Sequence, residues 1–206
     1  SSLDHNHRDK VAELLAHESL KRPVVIFTHD IAFLVLLEEA CRQTGDRAAI
    51  SLGYRVVSRG ADAAGFCNSE PPANVLPVEK VVPQMRAHLA NVKIHHRRGD
   101  QANWRREVGS FEKELREAWE RAVEDCVSPV MKRLSQKVHT NGLVKLTVLR
   151  EQDCKTMREA YGRCSKLLHS QPGEINPQLP SPDEIECEIA ALETWITEIR
   201  ARQDAV

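Results

Sequence analysis

The sequence predicts an α/β segment followed by an all-α helical bundle, and three observations carry that expectation. A helix-like stretch, an unbroken apolar run and a second helix-like stretch follow one another between Arg8 and Gln43. A passage rich in Gly, Pro and Asn then fills Ser58 to Pro77. Beyond it, apolar residues recur at spacings of three and four, the period of helices packed on a shared core.

Residues 8–20 place Val11, Leu14 and Leu15 on one face with charges elsewhere, which predicts an amphipathic helix that Pro23 ends. Val24 to Phe27 is continuously apolar rather than alternating, so a strand covered on both faces of a parallel sheet is expected. Ile31 to Gln43 makes the next helix, stopped at Thr44-Gly45, where glycine suits a left-handed cap. Ile50, Leu52, Tyr54 and Val56 alternate within Ala48 to Val57 and predict a later, half-exposed strand. Ser58 to Pro77 lacks periodicity and is expected to be a loop and a domain boundary.

After Pro77 the spacing predicts helices over Val78 to about Arg98 and Asn103 to about Cys126, turning at Arg98-Gly99-Asp100. Another is expected from about Glu151 to Leu168. Ser181-Pro182-Asp183-Glu184 opens the last, with a capping serine, proline in the first turn and acids at the positive end of the dipole. Trp119 and Trp195 fall on apolar faces and are expected in the core.

Composition bounds the function. Lys and Arg number 29 against 30 Asp and Glu, a net charge of -1, so nucleic-acid contact would have to come from local patches. His95-His96-Arg97-Arg98, with Trp104-Arg105-Arg106 close behind, is such a patch, readable either as a phosphate-tracking surface or as a solvated helix end. The longest uncharged apolar stretch, Ile31 to Leu37, falls well short of the roughly 20 residues a bilayer needs, and no secretory start is visible. No membrane contact and a cytoplasmic location are therefore expected. The six cysteines form no C-x-x-C pair and are expected to be reduced and mostly buried; His5-Asn6-His7 lacks a third ligand at useful spacing, so no metal site is expected.

Ser1-Ser2-Leu3-Asp4-His5, followed some twenty residues later by Val24-Val25-Ile26-Phe27-Thr28-His29-Asp30, resembles the D-loop and switch-histidine segments of ABC-type ATPases. Within that class it looks most like the SMC/RecF-like, "AAA family" ATPases, over Ser1 to about Leu37. The resemblance implies that residues 1–77 are the C-terminal lobe of a P-loop ATPase head and 78–206 a helical domain. It implies His29 as the group that reaches the γ-phosphate, and Asp4 as the D-loop acid that couples two sites across a head-head dimer. Ser1, Ser2, Thr28 and Asp30 would line the nucleotide and dimer interface. No G-x-x-x-x-G-K-[ST] loop occurs in the 206 residues, so ATP and Mg²⁺ would bind only together with the family's missing phosphate-loop, signature and Walker B elements. The expected function is that of a fragment of an ATPase serving DNA maintenance or antiphage defence, inactive by itself.

A fainter likeness lies further on. Arg116 and Glu120 stand four apart on one helix face, and Arg163 to His169 forms an R-x5-H string. That combination resembles HEPN ribonuclease domains, which some anticodon nucleases carry behind an SMC-like ATPase. It implies metal-independent RNA cleavage, with His169 as general acid and base, Arg163 stabilising phosphorane charge, and Glu120 or Arg116 nearby. Six residues turn a helix through about 600°, leaving Arg163 and His169 about 120° from a common face. An exposed Arg116–Glu120 ion pair and a bundle that serves only assembly are the alternatives.

Overall fold

The computed structural model describes residues 5–44, 50–69, 76–131, 138–168 and 179–206. Ser1, Ser2, Asp4, Gly45 and His169 lie outside them. The chain divides into two compact units, Ser1–Leu76 and Pro77–Val206. Helix dominates both.

In the first unit, α1 (His5–Ser19) packs on α2 (Ile31–Gln43) through Ala12, Ala16, Leu37 and Ala40. The alanines let the two backbones come close, and Leu15, Phe33, Leu36 and Cys41 flank the contact. The predicted buried strand is corrected here. Residues 23–30 carry no regular structure between the helices and pair with no strand among the described residues, and Val25 is 78% and Phe27 91% exposed. An apolar run states what burial it needs, not which neighbour supplies it, and no flanking strand does so among the described residues.

The expected parallel sheet is likewise replaced by one antiparallel hairpin, β1 (Val56–Arg59) with β2 (Ala64–Asn68). It lies partly within the stretch expected to be loop. Val56 faces Asn68 and Ser58 faces Phe66, and the register slips at Arg59. Gly60 donates its N–H to the Ala63 carbonyl at 2.8 Å, and Gly65 takes φ 94°, a conformation open to glycine. The residues from Ile50 to Arg55, expected as strand, carry no regular structure.

The second unit is a bundle of α3 (Val78–Arg97), α4 (Gln101–Val127), α5 (Glu151–Leu168) and α6 (Pro182–Asp204), with a 3-10 turn at Thr140–Leu146. Asp100 caps α4, its side chain accepting the Asn103 N–H at 3.2 Å, and Gly99 makes the tight turn before it with φ 69°. Ser181 and Glu184 cap α6 reciprocally, at 3.2 and 2.7 Å.

Trp104, Phe111, Trp119, Ile189, Leu192 and Ile196 fill the centre. Trp119 meets Trp195 edge to face, ring centres 5.5 Å apart, and both lie in the core as expected. A buried indole N–H favours a partner, and two of the three have one, whereas Trp119 Nε1 has none among the described residues. Trp104 donates to the Pro180 carbonyl at 3.0 Å and Trp195 to that of Asp153 at 2.9 Å. Ion pairs then tie the helix surfaces together: Arg86 bridges Glu186 and Glu193, and Arg200 bridges Glu79 and Asp125.

Candidate functional site

Thr28, His29 and Asp30 sit where the apolar segment meets α2. Asp30 has extended backbone and acts as N-cap, Oδ1 accepting the Phe33 N–H at 3.2 Å. Its other oxygen lies 2.7 Å from the Arg8 guanidinium of α1. Thr28 Oγ1 accepts the Asp30 N–H at 3.0 Å. Asp30 is thereby tied to the first turn of α2, and Thr28 on the other side of His29 is tied to Asp30. The imidazole itself is exposed and has no hydrogen-bond partner among the described residues.

The hydrogen bonds of Thr28 and Asp30 order the main chain that carries the histidine. Arg8 was missed because the 22 residues separating it from Asp30 leave no periodic signal.

Beside this tip lies a cleft of about 810 Å³, within the range of small-molecule sites. Leu15, Val24, Phe27, His29, Leu34 and Tyr54 are among the residues lining it. Tyr54 donates its hydroxyl to Glu38, and burial, reinforced by that carboxylate, pushes its pKa well above the ordinary phenol value. The two arginines of the cleft are turned elsewhere, Arg22 to Glu18 at 2.7 Å and Arg55 to the Tyr54 carbonyl at 2.7 Å. The cleft thus offers apolar walls and one unengaged imidazole, with no cationic cradle for phosphate.

The helical candidates are held in two separate ties. Arg163 grips Glu188 of α6 with two hydrogen bonds, 2.6 and 3.0 Å, which raise its pKa further. Arg116 and Glu120 instead meet Tyr161 of α5. The Tyr161 hydroxyl accepts from Arg116 Nε at 2.8 Å and donates to Glu120 at 2.7 Å, and the Arg116 guanidinium lies 5.2 Å from the ring centre. Tyr161, then Arg116, holds the Glu120 carboxyl below its usual range.

Tyr161 and Arg163 are two residues apart, about 200° around α5, so the ties point different ways. Each fastens one helix to the next.

Among the described residues, no group of three or more His, Cys, Asp or Glu side chains is placed to hold a metal. The cysteines are free: Cys126 and Cys164 are buried, Cys41 is half-buried, and Cys67, Cys154 and Cys187 are exposed, against the expectation of mostly buried thiols. Burial, with Glu188 and Glu112 nearby, pushes Cys164 up to about 11.

Glu112 is the residue that sequence reasoning passed over. It is 5% exposed, its Oε1 has no hydrogen-bond partner, and burial raises its pKa to about 7. Its position four after Val108 and three before Leu115 put it on the core face from the start. No family model, curated protein or solved structure matches the chain.

Proposed function

We propose that this chain is the C-terminal portion of an SMC/RecF-like ABC-type ATPase, whose heads dimerise around ATP and Mg²⁺ and hydrolyse the nucleotide between them. The observation that supports the reading is the presentation of His29. An apolar segment, exposed along Val25 and Phe27, ends in an imidazole with no partner among the described residues, followed by Asp30, which caps a helix and is itself bonded to Thr28. A donor that stabilises charge on a transferring phosphoryl group needs such a fixed main chain and a side chain not already spoken for.

The chain's own contribution would be that one donor. The phosphate loop and the carboxylates for Mg²⁺ would come from sequence outside these 206 residues, in which no phosphate loop occurs. Self-association of heads and contact of the complete protein with DNA or RNA, in genome maintenance or antiphage defence, complete the proposal. The helical unit serves assembly in this reading, since its nuclease candidates Arg163, Arg116 and Glu120 already hold the bundle together.

The test is ATP turnover by the complete polypeptide and its His29→Ala variant. Loss of about 10²-fold in kcat with nucleotide binding retained is the expected result, the usual scale for removing one preorganised donor. Unchanged turnover, or an upstream sequence without a phosphate loop, sinks the reading.

A further inference from the structure

The turn between α3 and α4 is flanked by four arginines whose guanidinium groups no acid neutralises among the described residues. Arg97 and Arg98 close α3, and Arg105 and Arg106 stand on the second turn of α4, all four exposed. None makes an ion pair or hydrogen bond among the described residues. Five other arginines of the bundle, Arg86, Arg116, Arg163, Arg200 and Arg202, are each tied to a carboxylate; Arg150 and Arg158 are also exposed and unpaired among the described residues, but stand apart from each other in sequence. The acids nearest the turn in sequence are engaged, Asp100 by Asn103 and His95, and Glu107 by His88. Helix geometry keeps the four groups together: one turn of α4 rises about 5.4 Å and packed helices lie about 8–10 Å apart.

We propose that this end of the bundle is a docking surface for the phosphate backbone of a nucleic acid. Four exposed arginines left open at one end of a helix pair are matched by a polyanion with regular charge spacing. Guanidinium forks suit phosphate oxygens better than ammonium groups do. A bilayer surface fits worse. Peripheral membrane binding wants an apolar helix face to bury, and the apolar stripes of α3 and α4 are consumed in the core.

Trp104 sharpens the chemistry. It is buried, with its N–H given to Pro180 and its ring against His96 at 5.3 Å, so it offers no stacking platform. Recognition here is of backbone charge, independent of base sequence. The surface lies in the helical unit and does not depend on the ATPase reading of the first unit.

The experiment is fluorescence anisotropy of labelled 20-nucleotide single- and double-stranded DNA and single-stranded RNA with the full 206-residue chain, from 50 to 200 mM KCl. Four neutralised phosphates give a slope of log K on log salt of about −3, or about 50- to 150-fold weaker binding over that range. Replacing all four arginines by Gln abolishes the binding and its salt dependence. The pairs R97Q/R98Q and R105Q/R106Q each remove about half the slope. The control K113Q/K155Q, which removes two charges from other exposed positions, stays within twofold of the parent.

Circular dichroism and the thermal transition of the helical unit report whether each variant remains folded. The proposal is overturned by absence of salt-dependent binding, by equal loss in the control, or by arginine-dependent binding to phosphatidylserine vesicles without binding to any oligonucleotide.

Discussion

Arg202 holds the Asp153 carboxylate at 2.7 Å, joining α6 to α5 with only 19% and 10% of the two side chains exposed. The same carboxylate accepts the Arg150 N–H at 2.8 Å and so closes the start of α5. Asp153→Ala therefore strands a largely buried cation and uncaps a helix. Its expected cost is about 3–5 kcal/mol, read from urea unfolding at pH 7. Asp153→Asn keeps a hydrogen-bond acceptor and costs less; a loss below about 1 kcal/mol for the alanine variant would remove the pair from the account of stability.

Glu112 makes stability depend on pH. Its carboxyl is pushed up to about 7 in the fold from an ordinary 4.5, so between those values the folded chain keeps a proton that the unfolded chain releases. Stability from this group is full below about pH 4.5, falls as pH climbs to about 7, and is level above. Glu112→Gln should match the parent near pH 5 and exceed it at pH 8 by on the order of 1–3 kcal/mol. Equal stabilities of the two proteins at pH 8 would contradict the burial argument.

Gly142 tests close packing. A Cβ there would run into the Pro129 carbonyl, with backbone rather than a movable side chain in the way. Gly142→Ala is expected to cost about 1–3 kcal/mol. Gly109→Ala, in open space within α4, should stabilise by about 0.5–1 kcal/mol. Thermal unfolding of the two variants should move in opposite directions.

Asp30 serves α2 and Arg8 together. Removing its side chain with Asp30→Ala frees the Phe33 N–H and should cost about 1–2 kcal/mol locally. Asp30→Asn retains the cap and loses only the ion pair. Hydrogen exchange at the first turn of α2 separates the variants, with faster exchange in the alanine protein alone.

Val25 and Phe27 contribute little to this chain's stability as it stands, because they are exposed. The double substitution Val25→Thr, Phe27→Ser should leave unfolding within about 0.5 kcal/mol of the parent. A larger drop would mean that the segment is covered in solution.

The helices were legible because their signals are local. α2 and α5 begin and end where periodicity and the Pro and Gly breakers place them, and Ser181 with Glu184 announces the α6 cap. Strands depend on partners distant in sequence. Pro23 to Phe27 therefore read as buried strand while the structure leaves it open, and the pairing of Val56–Arg59 with Ala64–Asn68 went unread. The candidate site divides in the same way. The cap at Asp30 follows from the residues around it, whereas Arg8, the Tyr54–Glu38 bond and the Arg163–Glu188 tie follow only from tertiary packing.

Among the described residues the two units rest on unequal core clusters: four buried apolar residues in the first against twenty in the second. A chain built this way has no single melting temperature that describes it. On warming, the pair of helices carrying His29 should loosen first while the bundle still resists, and proteases should find their earliest cuts there. Whatever chemistry His29 performs is then open to regulation by anything that braces so small a core.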